Sequence, residues 1–309
     1  MSLAALLDVP APAKLNLFLH IVGRRADGYH LLQSAFVLLD WCDLLHFERR
    51  SDGRLVRHDL GQPLPEDDLC LRAALGLQRA SGSSLGADIS VDKRLPWGAG
   101  LGGGSSDAAT TLLALNRLWG LNWPRQRLQP LALSLGADVP FFIGGDNAWV
   151  EGVGEQLTPI SLPQQWLAVV KPAQSIATAA VFSQAKLKRY SDPVILTNFL
   201  ASIQHSGNLS RQGGNAARMS KGLSAICGFG RNDLQPAAEQ LCPQVAQVAH
   251  WLAARFGNSR MSGSGSAVFA SAGTGSQPLV TWLANELPPA WVGRMCRSLT
   301  SHPLRAWAD

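Results

Sequence analysis

Apolar and polar side chains alternate through Ala13-Lys14-Leu15-Asn16-Leu17-Phe18-Leu19-His20-Ile21 for most of its length, with Lys14, Asn16 and His20 on the polar face. That is the period of a half-buried strand. Gly23 to Gly28 reads as a charged turn and Ala35-Phe36-Val37-Leu38-Leu39 as a second strand, so the chain opens on a β-hairpin or meander. Over residues 68 to 80, Leu69, Leu71, Ala73, Ala74, Leu75 and Leu77 fall at helical spacing, and the helix ends near Gly82. A short strand from Ala87 to Val91 and a glycine-rich segment from Pro96 to Gly104 follow. Ser105-Ser106-Asp107 then precede Ala108, Ala109, Leu112, Leu113 and Leu115, which predicts a serine-capped helix ending near Gly120.

A further short helix over Leu128 to Leu135 leads into a turn at Gly136-Ala137-Asp138-Val139-Pro140 and the apolar Phe141-Phe142-Ile143. Beyond about Pro159 the pattern restarts. Trp166 to Val170 reads as a strand, Val245 to Phe256 as a helix, and Ala267 to Ala270 as a strand behind a Gly/Ser loop. The polar, glycine-bearing stretch from Gln204 to Lys221 reads as a mobile loop, and no internal repeat or heptad is present. The expected class is α+β in two units, residues 1–158 and 159–309.

The 309 residues are 46% hydrophobic and 16% charged, the composition of a folded soluble protein, which excludes large-scale disorder. A formal charge of +5 suits a polyanionic partner, either a nucleic acid or a nucleotide. The basic residues are mostly scattered. Arg24 with Arg25, Arg49 with Arg50, and Lys186 to Arg189 lack interleaved aromatics and read as solvated charge, so charge alone does not choose the partner. Cys42, Cys70, Cys227, Cys242 and Cys296 are odd in number and widely spaced, which predicts reduced thiols rather than a zinc or redox pair. No signal-length apolar core follows a basic start and no run reaches a membrane span, so a cytoplasmic location is expected.

The chemistry concentrates in Pro96-Trp97-Gly98-Ala99-Gly100-Leu101-Gly102-Gly103-Gly104-Ser105-Ser106. Glycines let backbone approach a ligand closely, and a following helix presents unpaired N–H groups to an anion, so phosphate is the natural occupant. The segment matches neither the P-loop pattern nor a βαβ dinucleotide fingerprint.

It resembles the second motif of the GHMP kinases, whose glycine loop wraps the phosphates of ATP. Met261-Ser262-Gly263-Ser264-Gly265-Ser266-Ala267-Val268-Phe269-Ala270 is similar to their third motif. Pro12-Ala13-Lys14-Leu15-Asn16-Leu17, Arg25-Ala26-Asp27-Gly28-Tyr29-His30, Gly136 to Phe142 and Arg231-Asn232-Asp233-Leu234 look like the branch of that family acting on a cytidyl substrate. The resemblance runs from residue 12 to residue 270 and is least clear around residues 190 to 225. It implies a ribosomal-S5-like N-terminal half, a ferredoxin-like C-terminal half, and an active site between them. The implied reaction is ATP-dependent phosphorylation of the 2-hydroxyl of 4-diphosphocytidyl-2-C-methyl-D-erythritol. Another GHMP small-molecule kinase, of homoserine or mevalonate type, and a non-catalytic regulator on the same fold are the alternatives.

By the same resemblance, Pro96 to Ser106 bind ATP, Asp138 accepts the hydroxyl proton, and Lys14 stabilises the alkoxide or the transferring phosphoryl group. A lysine stabilises a neighbouring carboxylate and makes it a poorer base, so orienting the hydroxyl is the alternative role of Asp138. Magnesium accompanies ATP, with Ser106 as its candidate hydroxyl; helix capping, by Ser106 or Ser105, is the competing role. Tyr29 and Phe182 are candidates to stack on the cytosine, His30 to bond its edge, and Asn16 to position the substrate. The expected partner is a small molecule, with neither nucleic acid nor membrane.

Overall fold

The structure, a computed structural model, describes residues 3–61, 63–66, 68–184, 191–209, 228–282 and 286–309. Lys186 to Arg189, Cys227 and residues 210–221 of the expected loop lie outside them. The opening hairpin is β1 (Ala5–Arg24) antiparallel to β2 (His30–Arg50). Its register slips between Pro12 and Lys14 and again between Asn16 and Leu19.

The alternation in β1 has a purpose that extends over the whole molecule. Val9 and Ala11 enter one hydrophobic core, Ala13, Leu15 and Leu17 a second, and Leu19 and Ile21 a third. One strand therefore threads all three, while its opposite face keeps Lys14 and Asn16 together.

With β3 (Leu55–Asp59), β4 (Gly86–Asp92), β5 (Ala148–Glu151) and β6 (Gln156–Pro159) the hairpin makes a six-stranded sheet ordered β3-β4-β2-β5-β6, β1 pairing with β2. The first core lies between this sheet and α1 (Leu69–Ser81), α2 (Gly103–Leu118), α3 (Arg125–Leu135) and α4 (Val139–Gly144). Asp68 caps α1 by accepting from the Leu71 N–H, and Gly82 ends it at φ +67°.

The second sheet is antiparallel, ordered β10-β7-β9-β8, from β7 (Trp166–Lys171), β8 (Arg260–Met261), β9 (Val268–Gly273) and β10 (Val292–Arg297). Leu167 and Val169 face the second core and Ala168 and Val170 the third, so both faces of β7 are covered, as its unbroken apolar run requires. Around this sheet lie α5 (Thr178–Phe182), α6 (Leu196–Leu209), α7 (Gln235–Leu241) and α8 (Pro243–Phe256). After β10 the chain returns to the first core, where Leu304 and Ala308 are buried.

The structure corrects two details and adds a third. α2 starts at Gly103 behind Gly102, at φ +72°, and no side chain caps it, so neither Ser105 nor Ser106 is an N-cap. The glycine run can begin the helix early because it alone tolerates that turn, and the first N–H groups stay unclaimed by any cap. Residues 204–209, expected in a loop, continue α6, which is held by buried Phe199 and Ile203. Phe141-Phe142-Ile143 belong to a short helix, since Pro140 fits a first helical turn.

Candidate active site

Two glycine loops meet on the polar face of β1. The Lys14 N–H donates to the Leu101 carbonyl at 2.9 Å, and the Asn16 N–H donates to Ser262 Oγ at 3.1 Å. The loops also bond each other, Ala267 N to Ala99 O at 3.0 Å and Ser262 Oγ to Gly100 O at 3.1 Å. Gly100 has φ +72°, and a Cβ there would stand 2.4 Å from the Ser262 carbonyl oxygen, so only glycine permits the approach. Asn232 donates to the Met261 and Gly263 carbonyls, each at 2.8 Å, while the Leu19 N–H donates to the Arg231 carbonyl at 2.9 Å and the Leu19 carbonyl accepts from the Asp233 N–H at 2.8 Å.

This double loop separates two cavities. The larger, about 430 Å³, is bordered by Pro96 to Ser105 and walled by Leu64, Pro65, Asp68, Leu69, Lys93 and Leu95. A smaller one, about 190 Å³, is bordered by Lys14, Asn16, Ser34, Phe36, Asp138, Thr178, Phe182 and Ser264. Gly100 and Gly102 border both.

In the smaller cavity Lys14 Nζ donates to Asn16 Oδ1 at 2.6 Å, lies 3.5 Å from Asp138 Oδ2, and sits 4.4 Å from the centre of the Phe36 ring. An ammonium has three donors, so one N–H remains for a ligand. Asn16 Nδ2 in turn donates to Ser34 Oγ at 3.0 Å, which fixes the amide. Lys14 is 5% exposed and Asp138, just ahead of α4, is 32% exposed: a buried cation beside an accessible carboxylate.

A different cluster lies under the larger cavity. Lys93 Nζ donates to Asp107 Oδ2 at 2.6 Å and to Asp43 Oδ2, while Asp43 Oδ1 accepts from the Arg94 and Leu95 N–H groups at 2.6 and 2.7 Å. These contacts fasten the chain entering the glycine loop to β2 and α2. Burial raises the Asp107 carboxyl to about 8, Lys93 opposing and Asp43 reinforcing the shift, and the two carboxylates hold the Lys93 ammonium above its ordinary range. Lys171, by contrast, is shifted down by burial and donates to the Pro172 carbonyl at 2.8 Å. It supports the loop from which Ser175 Oγ donates to Trp97 O at 3.1 Å.

Of the residues singled out from the sequence, Pro96, Trp97, Gly98, Ala99, Gly100, Leu101, Gly102, Gly103, Gly104 and Ser105 all border the larger cavity. Ser106 borders neither; its hydroxyl is buried without a hydrogen-bond partner in the first turn of α2. Lys14, Asn16, Asp138 and Phe182 meet at the smaller cavity. Tyr29, 65% exposed on the hairpin turn, and His30 do not border it, although the His30 ring stacks on Phe182 at 5.1 Å and 28°. The sequence reading missed Asp43, Lys93 and Asp107, and also Thr178 and Ser264, whose hydroxyls lie 2.8 Å apart at the cavity rim. Ser264 lay within the third-motif segment and Asp107 directly after the glycine loop, while Asp43, Lys93 and Thr178 carry no local signal. The four described cysteines are all unpaired. No helix among the described residues is long and apolar enough to cross a membrane.

Residues 68–146 match the family described as GHMP kinases N terminal domain, and residues 207–277 match GHMP kinases C terminal. The chain is 61% identical to a 4-diphosphocytidyl-2-C-methyl-D-erythritol kinase of Methylibium petroleiphilum over all of both chains. Among solved structures, a 4-(cytidine 5'-diphospho)-2C-methyl-D-erythritol kinase superposes with a TM-score of 0.69 at 35% identity, covering 87% of this chain and 90% of that one. Homoserine kinase from Cytophaga hutchinsonii shares the fold, with a TM-score of 0.61 at 16% identity over 97% of this chain and 95% of that one. Full-length identity and the paired glycine loops agree, and the chain belongs to the GHMP kinases, within the group of the 4-diphosphocytidyl-2-C-methyl-D-erythritol kinases.

Proposed function

We propose that the chain transfers the γ-phosphoryl group of ATP to the 2-hydroxyl of 4-diphosphocytidyl-2-C-methyl-D-erythritol, yielding the 2-phosphate and ADP, in the methylerythritol phosphate route to isopentenyl diphosphate. The observation that carries this reading is the meeting of two cavities at Gly100 and Gly102, with Lys14 and Asp138 on the smaller side. ATP occupies the larger cavity, its phosphates against the loop from Pro96 to Ser105 and the uncapped start of α2, its base in the apolar slot beyond. The acceptor hydroxyl lies in the smaller cavity and meets the γ-phosphoryl group where the two cavities share Gly100 and Gly102, approaching it opposite the departing ADP oxygen, as in-line transfer requires.

Asp138 accepts or orients the hydroxyl proton, and the free Lys14 N–H stabilises the developing charge. Asn16, engaged at both ends by Lys14 and Ser34, holds the lysine in place and borders the substrate. Phe182 offers a face to the cytosine, with Tyr29 and His30 at the outer end. The His30–Phe182 spacing of 5.1 Å leaves no room for a third ring between them, so the base stacks on the pair rather than inside it.

Magnesium would accompany ATP and supply charge neutralisation to its phosphates. Ser106, the candidate hydroxyl, is buried and borders neither cavity, so it does not reach an ion held beside ATP in the larger one. No group of three or more His, Cys, Asp or Glu side chains suited to a metal occurs among the described residues, so most ligands would come from ATP and water. We place the enzyme in the cytoplasm, with no nucleic-acid partner, and divide the chain near residue 158 into units 1–158 and 159–309.

A coupled ADP-release assay with ATP, magnesium and the cytidyl substrate, using homoserine, mevalonate and galactose as controls, tests the reading. Turnover confined to the cytidyl substrate is expected. Turnover with a control would leave only the family, and none from folded protein would favour the non-catalytic alternative.

A further inference from the structure

Part of the larger cavity's lining, outside the glycine loop, hangs on one side chain. Arg57, on the edge strand β3, is 9% exposed. Its Nε donates to Asp59 Oδ1 at 2.8 Å and one terminal nitrogen to Asp59 Oδ2 at 3.2 Å and Leu64 O at 3.1 Å. The other terminal nitrogen donates to Pro65 O at 2.7 Å and to Asp68 Oδ2. All five guanidinium donors are thus used. Asp59 closes the arrangement by accepting from the Leu64 N–H at 2.9 Å, and Asp68, through its other oxygen, caps α1.

Three of the four residues that Arg57 grips by carbonyl or carboxylate, Leu64, Pro65 and Asp68, border the cavity, while Asp59 and Arg57 itself do not. Leu95, Pro96 and Trp97 border the same cavity. Apolar lining drawn from two stretches of chain suits a planar ring, and an edge strand has few other contacts to hold its share of that lining in place. A guanidinium holds its acceptors in a fixed plane, which a lysine ammonium cannot reproduce.

We infer that Arg57 is a positioning residue for the nucleotide base, holding part of the slot's lining in place for a planar ring without touching the ligand. The inference rests on the nucleotide reading of the larger cavity. It separates two parts of ATP: the base depends on Arg57, and the phosphates, held by the glycine loop, do not.

The test is calorimetric binding of magnesium-ATP and of magnesium-tripolyphosphate to wild type, Arg57→Lys and Asp59→Asn, with circular dichroism melts to establish folding and steady-state kinetics alongside. For Arg57→Lys, ATP affinity should fall about tenfold and its KM rise to match, while kcat at saturating ATP and tripolyphosphate affinity stay within about twofold. Asp59→Asn should weaken ATP selectively by a smaller factor, and carries the test if the arginine variant does not fold. Unchanged ATP affinity in a folded variant, or a parallel loss for ATP and tripolyphosphate, overturns the inference. If wild type turns over ATP but binds it no more tightly than tripolyphosphate, the base slot is absent and Arg57 has nothing to position. A wild type that binds neither compound defeats the nucleotide reading itself, and the inference with it.

Discussion

Two lysine–aspartate clusters flank the glycine loop, and they differ in nearly everything but composition. Lys14 and Asp138 stand 3.5 Å apart beside a cavity, with the carboxylate a third exposed. Lys93, Asp43 and Asp107 are packed at hydrogen-bonding distance, Asp43 without exposure, and Asp43 also holds two backbone N–H groups. The first cluster leaves donor and acceptor capacity for a ligand. The second leaves Asp107 Oδ1 without a partner, but Asp43 spends both of its oxygens tying β2, the chain entering the glycine loop and, through Lys93, α2 together, so its removal costs folding free energy where the first costs rate.

The largest effect expected from this contrast is kinetic. Asp138→Ala or Lys14→Met should each lower kcat by about 10³-fold while ATP affinity changes by less than about threefold, as read by steady-state kinetics and calorimetry. Unchanged turnover in either variant would remove that residue from the chemistry. Next, Asp43→Asn should lower the unfolding free energy by about 3 kcal/mol in denaturant titrations, because Lys93 loses one anionic partner in a buried setting. Gly100→Ala should cost about 2 kcal/mol and raise KM for both substrates, since its Cβ would collide with the Ser262 carbonyl and part the two loops.

The smallest effect is a pH dependence. Burial raises the Asp107 carboxyl to about 8 in the folded chain, from the 3.8 of an exposed aspartate in the unfolded one. The folded state therefore binds a proton that the unfolded state has released, and wild-type stability falls as pH rises between these values. Asp107→Asn keeps an oxygen for Lys93 and removes that slope. Its melting temperature relative to wild type should climb from pH 5 to pH 9, and a constant difference would contradict the assignment.

The strand and helix pattern was legible where one face of an element is buried. β1 announced its apolar and polar faces through alternation, α1 its cap and its glycine stop, and the glycine segment its closeness to a ligand. Illegible features depended on distant partners. Asp43, Lys93 and Asp107 are separated by fifty and fourteen positions, and each alone reads as a surface charge. The start of α2 was misjudged because Ser105 and Ser106 have the side chains of a cap, whereas the glycines before them already provide the turn and leave the N–H groups uncapped. Residues 204–209 look polar in isolation, and it is Phe199 and Ile203 upstream, buried in the second core, that draw α6 across them. Tyr29 and His30 were expected on the substrate, yet only Phe182, to which His30 is stacked, reaches the cavity wall.

The most direct test of the division between the two clusters is to measure single-turnover phosphoryl transfer and melting temperature for Asp138→Asn beside Asp43→Asn. Transfer should collapse in the first variant at a near-wild-type melting temperature, and the second should melt markedly lower while its folded molecules still transfer. Near-wild-type transfer by Asp138→Asn, or a melting temperature for Asp43→Asn as high as that of wild type, would contradict the account.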